Sequence, residues 1–186
     1  SIYIGGSNGN LAYYNGQTWQ KLDSKTEFTI CDMKAYNHYK TNNLEVLGMA
    51  EKEDISSQGS SSLLKIKNQK EVTIENLPMP YNYLRLWTNK GFPVFVSGIG
   101  VYSNKSGRWA EIKIPQAENK NRLDASGLNN IIATGHGEIA HYNGSTWKVY
   151  PADDMIMYRD IAINGNIIAI CGMRGYKALI TIGIRR

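Results

Sequence analysis

The stretch AHYNGSTWKVYP (140–151) nearly repeats AYYNGQTWQKL (12–22). A phrase written at both ends of a short chain constrains the fold more than any total does. Asn15-Gly16 and Asn143-Gly144 form the dipeptide that suits a two-residue hairpin turn, whose two turn positions both take positive φ. An aromatic strand precedes each turn (LAYY, IAHY), and a strand opening on Trp follows (TWQKL, TWKVY). A looser third copy, VYSNKSGRWAEIKIP (101–115), gains one turn residue and puts Trp109 in the Trp place. A fourth, LLKIKNQKEVTIENLP (63–78), keeps Asn68 in the turn and has Val72 as its anchor. Trp19, Val72, Trp109 and Trp147 are thus the repeat anchors, expected to pack between repeats because large aromatics dominate cores. The last three are spaced by 37 and 38 residues. The first gap is 53, and its excess is the polar stretch EKEDISSQGSS (51–61), read as a long loop inside one repeat.

Upstream of each hairpin lies another strand that ends in Gly or a small residue: IYIGG (2–6), LEVLGM (44–49), PVFVSG (93–98), NIIATG (130–135) and NIIAIC (166–171). Before four of these comes one more short segment: CDMKAY, YLRLWT, RLDASG, YRDIAI. Each repeat is therefore about four short strands, with Asn/Gly turns and no helical periodicity. That period is the signature of propeller blades. The reading is an all-β propeller of about five short four-stranded blades in one domain, at about residues 1–25, 28–78, 82–115, 122–151 and 157–186. The first blade starts at its second strand and the last ends after its third, so the expectation includes a truncated or incomplete ring.

Blade one, IYIGGSNGNLAYYNGQTWQKL, resembles a kelch blade: a strand ending in Gly-Gly, then Tyr, then Trp soon after a turn. The HYNGSTWKVYP form is similar to the short blades of bacterial regulator-type propellers. Only blade one has the Gly-Gly pair, so the resemblance implies architecture and no particular kelch partner. Propellers host binders, enzymes and inhibitors alike.

Totals narrow the function classes. The net charge is +5 over 186 residues, yet there is no long basic run and no nucleic-acid motif, so nucleic acid is not the expected partner. A basic surface suits an acidic partner. No apolar run approaches the roughly 20 residues of a membrane helix. No signal peptide is read at Ser1, although a removed one would leave the same start. Cys31 and Cys171 sit in apolar settings (FTIC, IIAIC) in non-adjacent blades, so free, buried thiols are expected. Unpaired thiols point towards a reducing, cytoplasmic setting.

Chemistry-bearing patterns are sparse. His136 and Glu138 lie two apart around a Gly, but no nucleophile completes a constellation. Asp153-Asp154 could hold a cation or serve glycoside cleavage, and equally reads as a polar turn. His38, His136 and His141 are scattered and no CxxC occurs, so no metal site is expected. GGSNGN opens no helix and is no phosphate loop. No catalytic residue and no cofactor is assigned.

Loops joining second to third strands usually share one propeller face with the connections between blades. Here they are 7–10, 51–61, 99–100, 136–138 and 173–176. Binding residues are expected there, since loops on a rigid scaffold carry function: Asn8, Asn10, Glu53, Asp54, His136, Glu138, Arg174 and Tyr176. Trp87, in an inner-strand segment outside the repeat pattern, is a candidate to line the central channel and stack on a ligand. The expectation is a binding module that recognises another macromolecule, a protein first, through loops on one face. The alternative is a lectin-like or glycoside-acting propeller, although NGQTW and NGSTW lack the Asp of an Asp-box. An inhibitor or immunity-type protein is a further alternative.

Overall fold

A computed structural model describes residues 1–52, 59–79, 85–98, 100–114 and 122–185. These residues form five antiparallel sheets taken in chain order. Sheet I is β1 (Ile2–Gly5), β2 (Leu11–Tyr14) and β3 (Trp19–Leu22). Sheet II is β4 (Thr29–Asn37), β5 (Leu44–Lys52), β6 (Ser60–Lys67) and β7 (Glu71–Leu77). Sheet III is β8 (Arg85–Thr88), β9 (Val94–Gly98), β10 (Gly100–Ser103) and β11 (Ala110–Ile112). Sheet IV is β12 (Arg122–Gly127), β13 (Asn130–Thr134), β14 (Glu138–Tyr142) and β15 (Trp147–Pro151). Sheet V is β16 (Ile156–Asn164), β17 (Ile167–Arg174) and β18 (Lys177–Ile184). Every strand pairs with its chain neighbour, as a meander requires.

The repeated phrase builds one local device twice. Asn15 Oδ1 accepts from the N–H groups of Gln17 and Thr18 at 2.8 and 2.9 Å. Asn143 Oδ1 does the same for Ser145 and Thr146 at 3.0 and 2.9 Å. The Tyr14 and Tyr142 hydroxyls donate to the carbonyls of Gly16 and Gly144. Each Tyr then lies against the Trp across the hairpin, with centroids 5.0 Å apart for Tyr14–Trp19 and 5.2 Å for Tyr142–Trp147. The expected two-residue turn is corrected here: the loop has four residues, and only the glycine takes positive φ, 103° at Gly16 and 101° at Gly144. The Asn instead caps the turn with its side chain, which Asn does readily. Asn68-Gln69, in the least similar copy, does have both turn residues at positive φ, at 46° and 69°.

The sheets stack in order, and each adjacent pair shares one apolar cluster. Tyr13 and Leu11 of sheet I meet Val46 and Ile66 of sheet II. Leu47 and Met49 of sheet II meet Val94 and Val96 of sheet III. Trp87 and Phe95 of sheet III meet Ile131 and Ala133 of sheet IV. Ile132 of sheet IV meets Ile161 and Ile170 of sheet V. In sheets II to IV the second strand is covered on both faces, so β9 and β13 are buried at every position. Such strands read as continuous apolar runs because neither face meets water.

The first strands β4, β8, β12 and β16 neighbour one another in that order, and β1 packs on β4. Two half-buried carboxylates register these strands. Asp32 Oδ2 accepts from Leu86 N at 2.9 Å, and Asp124 Oδ2 from Ile163 N at 3.1 Å, each reaching the next sheet. Lys34 of β4 comes within 3.9 Å of Asp124 of β12, two sheets away, so the first strands converge.

The outermost faces differ. No described sheet packs on the face of sheet I that carries Ile2, Ile4 and Trp19, or on the face of sheet V that carries Ile180, Ile182 and Cys171, and all six side chains are exposed. Cys171 was expected to be buried from its IIAIC setting. It pairs across the sheet with Ile180 and looks out of the stack. Neither Cys31 nor Cys171 takes part in a disulfide.

Candidate functional site

Loops that join second to third strands are stitched to the connections between sheets, forming one rim. In sheet I, Gly9 N donates to Phe28 O at 2.8 Å and Ile30 N to Gly6 O at 3.0 Å. In sheet IV, Gly137 N donates to Ile156 O at 2.9 Å, Ala152 N to Gly137 O at 2.7 Å, and Tyr158 N to Gly135 O at 3.3 Å. Gly137 sits at φ +62°, and a Cβ there would lie 2.9 Å from the Asp154 Cα, so only glycine lets the two segments approach. In sheet II, Ser61 Oγ donates to Met79 O at 2.8 Å. Loops fixed this way hold their exposed side chains at set places.

The sequence-predicted residues distribute along that rim. Asn8, at φ 54°, is exposed. Asn10 is exposed and turns its amide back onto Ser7 O at 2.8 Å. His136 is exposed, and its backbone bridges to Met157. Glu138 opens β14, half-buried. Arg174 pairs with Asp153 Oδ2 at 2.5 Å, while Asp153 Oδ1 accepts from Met155 N at 2.9 Å. Asp153 is thus a turn former with a cationic neighbour, which accounts for its side chain without a bound cation. Tyr176 is fully exposed. Glu53 and Asp54 lie outside the described residues.

Trp87 is elsewhere and corrects an expectation. It is only 6% exposed and packs on Phe95, with centroids 5.9 Å apart, between sheets III and IV. Alternation along β8 turns it towards sheet IV, so it offers no face to a ligand.

Sequence reasoning overlooked the charge at the rim ends of the first strands. Arg85 opens β8 opposite Ser97, and Arg122 opens β12 opposite Thr134, at corresponding places in their sheets. Arg159 lies in the bulge of β16 and is exposed. The Arg122 Nε donates to the Arg159 carbonyl. Burial, and then the charge of Arg85, lowers the Arg122 proton affinity. Ser97 Oγ and Thr134 Oγ1 are buried with no hydrogen-bond partner among the described residues. Nearby, burial and then Glu51 push the Cys31 thiol far above its ordinary range, the reverse of what a nucleophile needs. Burial likewise raises the Asp32 carboxyl against the pull of its N–H donors. The signal was present: YLRLWT, RLDASG and YRDIAI each carry an Arg in the same short segment.

Among the described residues no group of three or more His, Cys, Asp or Glu is placed to hold a metal ion. No described helix is long and apolar enough to cross a membrane. No protein-family model matches the chain, and neither a curated protein nor a solved structure is similar to it.

Proposed function

We propose that the five sheets are propeller blades and that the chain is a non-catalytic binding module whose rim recognises an acidic segment of another protein. The converging first strands and the chain-order stacking support the propeller reading. One observation carries the function: Arg85, Arg122 and Arg159 recur at the rim end of three successive sheets, where Arg159 and Arg174, the last residue of β17, are exposed. Guanidinium groups bind carboxylates through paired N–H donors, and the +5 net charge draws an acidic partner in. The test is binding of a labelled Asp/Glu-rich peptide at rising salt. Saturable binding that weakens with salt is expected. Arg159→Gln with Arg174→Gln is expected to weaken it about tenfold, or ~1.4 kcal/mol. Equal binding of a Lys-rich peptide, or no change in the double variant, overturns the reading.

A glycan reading keeps one specific observation. Trp19, 51% exposed, lies against Tyr14 beside a groove that also holds Asn10 and Gln20. Sugar faces stack on such rings. Titration of simple sugars against Trp fluorescence, with Trp19→Phe as control, separates this reading from the first.

A further inference from the structure

Sheets II, III and IV each have a fourth strand, and its anchor side chain packs on the preceding sheet. Val72 of β7 joins the cluster with sheet I, Trp109, the residue before β11, the cluster with sheet II, and Trp147 of β15 the cluster with sheet III. Trp109 also donates its Nε1–H to Glu75 of β7 at 2.9 Å. Sheet V has three strands, and β18 pairs with β17 alone among the described residues. Beside β18 an apolar groove of about 460 Å³ runs between sheets IV and V. Ile139, His141 and Tyr150 form one wall, and Ile168, Ile170 and Thr181 the other.

Register says what fits there. Gly135 and Gly172 occupy the same place in sheets IV and V, because Ala133 and Ile170 both face the preceding sheet, two residues before the glycine. Following the ladders outward from that match, β18 has Gly183 where β14 has Tyr142, the residue opposite Trp147. The groove is therefore the seat of a fourth-strand anchor, and Gly183 leaves that seat open. The edge beside it, KALITIGI, has no Pro, no bulge and no charge between its first residue and its last. Edges of that kind are templates for another strand.

We propose that β18 takes an added strand: an extended segment with a Trp followed by alternating apolar residues, as in this chain's own β15. It runs antiparallel to β18 and seats its Trp over Gly183, against His141 and Tyr150. Main-chain bonds along β18 supply affinity and the groove supplies selectivity. This surface is separate from the arginine rim, so either reading can fail alone.

The test uses a labelled synthetic peptide, STWKVYPA, with the sequence of residues 145–152, titrated into the whole protein by fluorescence anisotropy. Saturable binding is expected, with slowed amide exchange along β18. Replacing the peptide Trp by Ala is expected to weaken binding at least about tenfold, as truncating a buried aromatic anchor does. Gly183→Trp fills the seat and is expected to abolish binding. Ile180→Lys, on the opposite face of the same strand, is expected to leave it unchanged. Circular dichroism checks that both variants keep their strand content. Absence of binding at about 1 mM peptide overturns the proposal. So does Gly183→Trp binding as well as the unaltered protein. A protein dimer formed through β18 and indifferent to peptide also overturns it, in favour of a second copy as occupant.

Discussion

Trp19 and Trp147 close the same turn with the same Asn cap, the same Tyr hydroxyl bond and nearly the same ring spacing. Trp147 belongs to the apolar cluster shared by sheets III and IV, whereas Trp19 is 51% exposed. The difference lies outside the hairpin. Trp147 points at a preceding sheet, and no described sheet stands before sheet I. Local sequence therefore determines the turn, and burial is determined by whether a neighbour covers the face. Sheet V repeats the lesson on its other side, where Ile180 and Ile182 continue a strand pattern that nothing described covers.

The largest effect should come from comparing a covered face with an uncovered one. Ile132, between sheets IV and V, is almost wholly buried, while Ile182 is 58% exposed. Ile132→Ala should cost about 2–5 kcal/mol of unfolding free energy, the range for a large-to-small change in a packed core. Ile182→Ala should stay within about 0.5 kcal/mol, as surface changes do. Urea denaturation measures both, and equal losses would mean that the outer face of sheet V is covered in solution.

A smaller contrast lies in the strand-registering carboxylates. Asp32 accepts from Met33 N and also from Leu86 N of the next sheet. Asp160 accepts from Ile161 N, the first half of the same arrangement, in the sheet that has no described successor. Asp32→Ala leaves a buried N–H without its acceptor and should cost about 1–3 kcal/mol. Asp160→Ala should cost under about 1 kcal/mol, since the remaining local bond is modest. Similar losses for the two would show that the inter-sheet bond adds little.

Most of the strand grouping was legible because Asn-Gly turns and Trp anchors recur at a near-constant period. What was not legible is which face each strand shows. NIIATG and NIIAIC read as equivalent, yet Ile131 faces the preceding sheet and Ile167 is exposed on the opposite side. The true match is one residue along, and a slip of one reverses every side chain. Trp87 failed as a site residue for the same reason: alternation, which the segment is too short to reveal, turns it into the core. The rim loops could be located from the turns between strands, but their lock onto the inter-sheet connections is long-range and leaves no local pattern. The rim arginines sit at strand starts and in a bulge, where no turn residue marks them in the sequence.

The smallest effect compares the open groove of sheet V with the filled interfaces, through pH. His141 lines that groove, with Nε2 at 3.0 Å from Asn130 Oδ1. Burial, and then the charge of Arg185, hold its proton affinity below the ordinary histidine value of 6.5. The unfolded chain therefore takes up a proton at a higher pH than the folded one does. Between about 6.5 and the lower folded value the unfolded state binds more protons, so stability falls as pH falls through that window and levels off below it. His141→Gln should flatten the urea midpoint between pH 7.5 and 5.5 relative to the unaltered protein, while keeping a hydrogen-bond donor to Asn130. Loading the groove with the strand peptide should steepen the loss, since a covering Trp excludes the water that would solvate the imidazolium. A peptide that binds yet leaves the pH profile unchanged would place its Trp away from His141, and so away from the seat over Gly183.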